Sequence, residues 1–148
     1  EWRSYAAYAS LRHKINNQWL ANASVRYTHV HTYAPFDLTY FDFPFTEAEL
    51  NNGALNGSAG VVFTPNERSK WYANLSSGFR APNVDDVGKV FDSEPGSVVV
   101  PNPQLKPEQA YNAELGYTGV IADQLTFNVA AFYTRLNDAI TRGPSTFN

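Results

Sequence analysis

The chain has 148 residues, a net charge of −3 and no cysteine, so it is long enough for one domain but can form neither disulfide bonds nor cysteine-ligated metal sites. Its Lys and Arg residues are scattered rather than gathered in one stripe, which argues against a nucleic acid as a partner. No window approaches the roughly 18 apolar residues that a membrane-spanning helix needs.

Six segments alternate apolar and polar residues with a period of two, which predicts β-strands. In chain order, their apolar series occupy residues 5–11, 19–27, 59–63, 71–79, 111–117 and 125–133. Polar side chains fill most of the alternate positions and would therefore lie on the opposite face of each strand. We expect an all-β fold, an antiparallel meander of about six strands.

The connections between these segments alternate in length. Short turns are expected around Asn16 and Asn17, over residues 65–68 and over residues 120–123. Long loops are expected over residues 30–56 and 81–107, and all nine prolines are expected in turns, loops or the terminal tail, because proline removes a ladder hydrogen bond. Short turns at one end and long loops at the other are typical of transmembrane β-barrels, with the turns in the periplasm and the loops outside the cell.

Aromatic residues recur at both ends of the predicted strands. Trp19 and Tyr27 share one face of the second strand, and Trp71 and Phe79 share one face of the fourth, each pair eight residues apart. Eight residues of strand cover about 26 Å, which after tilting roughly matches the spacing of the two aromatic belts of a membrane barrel. The alternative is that these aromatics fill the core of a secreted or surface β-sandwich, such as a carbohydrate-binding module.

Three short motifs follow one another in the second half of the chain. The first ends the fourth strand, the second precedes the fifth strand, and the third lies within the fifth. Their residues are Gly78, Phe79, Arg80, Ala81 and Pro82, then Asn102, Pro103, Leu105, Lys106, Pro107 and Glu108, and then Glu114, Leu115 and Gly116. Together they resemble the barrel portion of TonB-dependent outer-membrane receptors. Both ends of the chain look truncated, so residues 1–148 are expected to be part of such a barrel.

The resemblance implies energy-coupled import of a scarce nutrient, such as a siderophore, cobalamin, a glycan or haem, across the outer membrane of a Gram-negative bacterium. The partners it implies are outer-membrane lipid, a small-molecule nutrient, a plug domain of the same protein and the TonB protein. No plug domain and no TonB-contacting segment can be identified in these residues. No catalytic constellation emerges either, and we expect neither an enzyme nor a resident metal or cofactor.

Arg80 and an aromatic cluster are the candidate substrate-binding residues. Arg80 would lie on the polar face at the outer end of the fourth strand, where it could pair with Glu108 of the neighbouring strand or bind an anionic substrate. The pairing role is favoured, because a motif shared by receptors for unlike substrates is better explained by wall geometry. Tyr40, Phe41 and Phe43 lie in the first long loop, where they could stack on a sugar or siderophore or pack against one another.

Metal and haem ligands are sparse in this sequence. His29 and His31 would point to one side if the second strand extended that far, but no third ligand completes a site. Residues 83–101 contain no His, Tyr, Cys or Met, so we expect that this loop does not ligate haem iron and favour a siderophore, cobalamin or glycan as cargo. The acidic residues of this loop, Asp86 among them, lack the spacing of a calcium site and are expected to be solvated.

Overall fold

A computed structural model of the chain describes residues 1–35, 39, 46–83, 86, 92–94, 97–98, 105–122 and 124–141. The strands in chain order are β1 (Trp2–Lys14), β2 (Trp19–Pro35), β3 (Glu47–Asn66), β4 (Ser69–Arg80), β5 (Asp92–Glu94), β6 (Ser97–Val98), β7 (Glu108–Ile121) and β8 (Leu125–Asn137). Six of them form one antiparallel sheet in the order β1-β2-β3-β4-β7-β8, and β5 pairs with β6 separately. The predicted meander is confirmed. Within the described residues, no helix is long and apolar enough to cross a membrane.

Asparagine side chains organise two of the short turns. Asn16 Oδ1 accepts hydrogen bonds from the backbone N–H groups of Gln18 (2.8 Å) and Trp19 (2.9 Å). Asn66 Oδ1 accepts one from the N–H of Arg68 (3.0 Å). Such bonds from an asparagine to backbone groups two or three residues on fix a tight reversal of the chain. The turns therefore lie where the sequence predicts them.

The main sheet has one apolar face and one polar face across its membrane-length part. Odd-numbered residues share the apolar face, where Leu75 lies opposite Ala59 on one side and Ala113 on the other. We call this the outer face, and the face of the even-numbered residues the inner face. Leu75 is 63% exposed, and the one other sheet in the described part of the chain is the short β5–β6 hairpin. Because a large exposed apolar face suits lipid rather than water, the β-sandwich alternative is not favoured.

Aromatic side chains form a belt on the outer face near the short turns. Trp19 stacks on Phe63 with ring centroids 4.4 Å apart, Trp71 lies 4.3 Å from Tyr117, and Tyr117 lies 5.7 Å from Phe127. We call these residues the turn-side belt. Tyrosines on the same face nearer the long loops form what we call the loop-side belt, which comprises Tyr27, Tyr111 and Tyr133. The two belts bracket the apolar band expected of membrane-spanning strands.

Strands β2 and β3 are longer than predicted, because β2 continues to Pro35 and β3 begins at Glu47. The predicted loop over residues 30–56 is therefore wrong, since most of it is strand. In this extension the alternation is inverted: Val30 and Leu50 are buried on the inner face (4% and 6% exposed), while Asn51 is exposed on the outer face. Water rather than lipid surrounds strands at this height, so the apolar residues turn inward and the outward apolar pattern that marks membrane strands is lost.

Two prolines lie inside strand ends, contrary to prediction. Pro35 is the last residue of β2, and Pro65 lies one residue before the end of β3. The pairing of β3 with β4 is irregular between Phe63 and Asn66, so a regular ladder has already stopped at Pro65. A proline is tolerated at such positions because few ladder hydrogen bonds depend on its missing N–H.

Candidate functional site

Arg80 lies at the loop-side end of β4, directly opposite Glu108 at the start of β7. These two strand ends coincide with the predicted bounds of the second long loop, residues 81–107, within which β5 and β6 form a short hairpin that was not predicted. The Arg80 guanidinium donates through Nη1 to Glu108 Oε2 (3.1 Å) and through Nη2 to both carboxylate oxygens of Asp86 (3.0 and 2.7 Å). The predicted pair of Arg80 and Glu108 is therefore present, and Asp86 joins it.

The two carboxylates connect Arg80 to further segments of the chain. Glu108 Oε1 accepts a hydrogen bond from the backbone N–H of Ile140 (2.7 Å), just beyond the end of β8. Asp86 Oδ2 accepts one from the N–H of Asn83 (3.0 Å), and the N–H of Asp86 donates to Asn83 Oδ1 (2.8 Å). Four segments thus meet here: the ends of β4 and β8, the start of the loop and the start of β7. The Asp86 side chain is 17% exposed, so the expectation that it is solvated is wrong.

These contacts stabilise the charged forms of Glu108 and Arg80. The pKa of the Glu108 carboxyl is lowered, first because it accepts the Ile140 N–H and then because Arg80 donates to it. The pKa of Arg80 is raised by its hydrogen bonds to Glu108 and Asp86. Both groups lie beyond the loop-side belt, and water partly screens their attraction because the Arg80 side chain is 48% exposed. We call Arg80, Asp86 and Glu108 the loop anchor.

A second polar group lies on the inner face, in the half of the sheet nearer the short turns. Tyr72 Oη donates to Glu114 Oε1 (2.6 Å), and the Tyr72 ring lies over Gly116, where an added Cβ would overlap it. Asn22 and Asn74 line the same shallow pocket, which has a volume of about 300 Å³. The glycine of the third motif is thereby explained, because a side chain at Gly116 would keep Tyr72 from Glu114.

The histidines all lie on the outer face of the sheet. His29 and His31 belong to the extension of β2, and His31 Nδ1 lies 2.9 Å from Asn51 Oδ1 and 3.8 Å from Glu49 Oε1. His13, near the short turn of β1, is also odd-numbered and pairs with an outer-face residue of β2. In the described part of the chain, no group of three or more His, Cys, Asp or Glu side chains is placed to hold a metal ion.

The remaining predicted residues fall into two groups. Five lie outside the described residues: Tyr40, Phe41, Phe43, Asn102 and Pro103. Of the motif residues that the structure describes, Pro82 is fully buried just after β4, and Gly78 faces open space. The others lie in or next to β4 and β7: Phe79, Ala81, Leu105, Lys106, Pro107 and Leu115.

Residues 3–148 match the family described as TonB dependent receptor-like, beta-barrel. The chain is 28% identical over 130 residues to the hemoglobin-haptoglobin utilization protein B of Neisseria meningitidis, both of serogroup C and of serogroup A / serotype 4A. It is 36% identical over 61 residues to the probable hemoglobin and hemoglobin-haptoglobin-binding protein 4 of Haemophilus influenzae. These regions make up 84% and 41% of this chain but 16% and 6% of the respective relatives. The chain thus spans a small part of the length of these relatives.

A solved structure has a similar fold. It is a double mutant of the Serratia marcescens hemophore receptor HasR in complex with its hemophore HasA and heme. The TM-score is 0.73 at 17% identity, over 90% of this chain and 25% of the receptor. The family match, the six-stranded meander and the apolar outer face agree with one another. The chain therefore belongs to the TonB-dependent receptor β-barrel family and forms part of a barrel wall in the outer membrane of a Gram-negative bacterium.

Proposed function

We propose that the full-length protein imports a scarce nutrient across the outer membrane, driven by TonB, and that residues 1–148 form one stretch of its barrel wall. The observation that carries this proposal is a sheet with an apolar outer face and a polar inner face in a member of the receptor family. On this proposal, the plug domain and the other strands of the barrel belong to the rest of the protein. The nutrient passes along the inner face, and its passage requires no catalytic group of this chain.

The loop anchor has a structural part in this proposal. Arg80 already directs both of its terminal nitrogens at the carboxylates of Asp86 and Glu108, which leaves its guanidinium little capacity for an anionic substrate. We therefore assign the anchor to holding the second long loop at the mouth of the barrel. Contacts with the nutrient are assigned to the loops, including Tyr40 and Phe41 of the first loop.

For the cargo, we propose iron in the form of haem taken from a haem protein. The support is the names of the relatives, which refer to the use or binding of hemoglobin-haptoglobin. Residues 83–101 lack a haem ligand and the three histidines lie on the outer face, so on this proposal no histidine of this chain ligates the haem iron. The competing cargoes are the siderophore, cobalamin or glycan that the sequence favours.

The test is nutrient-limited growth of a bacterium that lacks its own copy of the receptor and expresses the full-length protein. Haemoglobin, a ferric siderophore, cobalamin and a glycan are supplied one at a time. We expect the receptor to restore growth on haemoglobin as the iron source, and only in cells with intact TonB. The double variant His29→Ala and His31→Ala should grow as well as the wild type.

Other outcomes separate the two levels of the proposal. Restored growth on a siderophore, cobalamin or a glycan, but not on haemoglobin, would overturn the haem cargo and leave nutrient import standing. Failure to restore growth on any of the four nutrients would overturn import itself.

A further inference from the structure

A groove runs across the outer face near the loop-side belt, and its volume is about 610 Å³. Small residues form its floor, because Gly57, Ala59 and Ala113 leave space between the larger side chains of Leu75 and Tyr111. The size falls in the range of roughly 300–1,000 Å³ that small ligands fill. Because this face of a barrel wall contacts lipid, the natural occupant of the groove is an acyl chain.

In the floor of the groove, the Ser77 side chain pairs with the backbone of Gly57. The regular ladder between β3 and β4 ends where Ser58 pairs with Ser76. One residue further, the Ser77 hydroxyl replaces the ladder, since Ser77 Oγ accepts the Gly57 N–H (3.0 Å) and lies 3.5 Å from the Gly57 carbonyl oxygen. A backbone group without a hydrogen-bond partner in lipid costs several kcal/mol of free energy. Because Ser77 supplies that partner, β3 and β4 can separate here without leaving the Gly57 N–H unpaired.

Arg135 lies at the loop-side rim of the groove. It pairs with Tyr111 and follows Tyr133 of the loop-side belt by two residues, or about 7 Å of strand. Aromatic belts lie at the level of lipid headgroups, so the Arg135 guanidinium lies at that level or just beyond it. Its Nε donates to Asn137 Oδ1 (3.0 Å).

Among the described residues, no carboxylate balances the charge of Arg135. Arg3, also on the outer face, pairs with Glu1. Arg80 pairs with Asp86 and Glu108. Within the part of the chain that the structure describes, no Asp or Glu oxygen lies within 4.0 Å of Arg135. A guanidinium beside an apolar groove is complementary to a lipid that joins a phosphate to acyl chains, because it can bind phosphate through two parallel hydrogen bonds.

We propose that this groove binds one molecule of the phosphorylated glycolipid of the outer leaflet. An acyl chain lies along Gly57, Ala59 and Leu75, and the phosphate lies on Arg135. Such a lipid braces β3 and β4 at the point where their ladder ends. The site depends on how the barrel lies in the membrane and is independent of the cargo.

The test uses the intact receptor, stripped of lipid in detergent and mixed with diphosphorylated lipid A, with bound lipid counted by native mass spectrometry. We expect one retained lipid per barrel. Arg135→Gln should lower the affinity about five-fold, since one interfacial cation contributes about 1 kcal/mol of attraction to anionic lipid. Arg26→Gln is the matched control and should retain the lipid, because Arg26 lies on the inner face, next to Tyr27 of the loop-side belt and opposite Asn56.

The acyl half of the site is tested by filling the groove. Ala59→Leu should lower retention of lipid A although Arg135 is unchanged, and lipid A without its phosphates should bind the wild type as weakly as lipid A binds Arg135→Gln. The proposal would be overturned if Arg135→Gln and the wild type bound lipid A with equal affinity. It would also be overturned if the wild type bound lipid A with and without its phosphates equally well. A groove variant that changes the number of barrels per particle but not lipid retention would also overturn it, since a second barrel would then be the occupant.

Discussion

Gly116 lies beneath the ring of Tyr72, and this contact explains why a glycine stands there. The ring crosses Gly116 to reach Glu114, so an added Cβ would overlap it. We expect Gly116→Ala to lower the free energy of unfolding by about 1–3 kcal/mol, the usual cost of overpacking. Equilibrium unfolding of the intact barrel in lipid vesicles measures this change.

Gly78→Ala is the control for that prediction, since nothing lies within 4 Å of a Cβ added at Gly78. It should change the free energy of unfolding by less than about 0.5 kcal/mol. In a chain that already carries Tyr72→Ala, Gly116→Ala should lower the free energy of unfolding much less than it does in the wild type, because the ring is then absent. Equal costs for the two glycine variants would contradict the packing explanation.

The lowered pKa of Glu108 predicts a pH-dependent contact at the exit of β8. A carboxyl whose pKa is lower in the folded state stabilises that state above its unfolded pKa and loses this contribution as pH falls through the folded pKa. The Ile140 amide, which donates to Glu108, should therefore be protected from hydrogen exchange at neutral pH. Relative to the intrinsic exchange rate, its protection should fall on acidification below the usual pKa range of a glutamate.

Two variants make that exchange experiment specific. Glu108→Gln should give weaker protection of Ile140 without the acidic transition, because an amide cannot titrate. Glu67→Gln, in the short turn between β3 and β4, should behave as the wild type. If Ile140 remained equally protected at all pH values in the wild type, the carboxylate of Glu108 would not be what holds it.

The sequence predicted only part of the loop anchor and none of the contact between Tyr72 and Glu114. It predicted the pair of Arg80 and Glu108, because the motifs fix two strand ends that must meet in an antiparallel sheet. It missed Asp86, because the approach of Asp86 to Arg80 depends on the local fold of the loop, which alternation does not encode. It missed the hydrogen bond from Tyr72 to Glu114, because the two residues are diagonal neighbours. The direct cross-strand partner of Tyr72 is Gly116.

At the scale of elements, the loop anchor should control how firmly the second long loop is attached. Arg80→Gln removes the cation shared by Asp86 and Glu108, so trypsin should cleave after Lys89 a few-fold faster, the modest effect expected of a partly exposed ion pair. Arg12→Gln, at the other end of the sheet, should leave the rate unchanged. If Arg80 serves the substrate instead, nutrient binding should fall while the cleavage rate stays the same.

Strand β4 should accept a charge on one face and not on the other. Leu75 lies on the outer face, four residues after Trp71 of the turn-side belt and so near the middle of the apolar band. Leu75→Arg should lower the free energy of unfolding by about 2–4 kcal/mol, the cost of an arginine at the membrane midplane. Asn74→Arg on the inner face should cost far less in the same vesicle assay. Similar penalties at the two positions would contradict the assignment of the faces.

The length of the strands could be predicted only where lipid dictates the pattern. Within the apolar band, outward apolar residues at most second positions mark the six strands of the main sheet, and the alternating short and long connections predict their order. Beyond the band, the inner face of β2 and β3 mixes Thr32 and Asn52 with Val30 and Leu50, and all four are buried. No single period identifies such a segment, because both faces carry polar residues.

At the scale of the whole molecule, the inversion of the pattern divides the wall into two zones. In the lipid zone the outer face is apolar and exposed, as at Leu75. In the zone beyond it the inner face is buried and the outer face carries polar residues such as His31 and Asn51, which contact each other. The extended strands therefore raise the wall into water on the side of the long loops and carry the loop bases above the membrane surface.

This division predicts which residues can be reached from outside the cell. The chain has no cysteine, so single cysteines can be introduced without background from this segment. On whole cells, an impermeant maleimide should label Asn51→Cys, which is exposed on the outer face of the extension. It should label the adjacent Asn52→Cys slowly, because Asn52 is 9% exposed on the inner face. Asn66→Cys, in a short turn, should be labelled only after lysis, since the turns of such barrels face the periplasm.

Two outcomes would contradict this division of the wall. Equal labelling rates at Asn51→Cys and Asn52→Cys would contradict the strand extension. Labelling of Asn66→Cys but not of Asn51→Cys on whole cells would mean that the wall is inserted in the opposite direction.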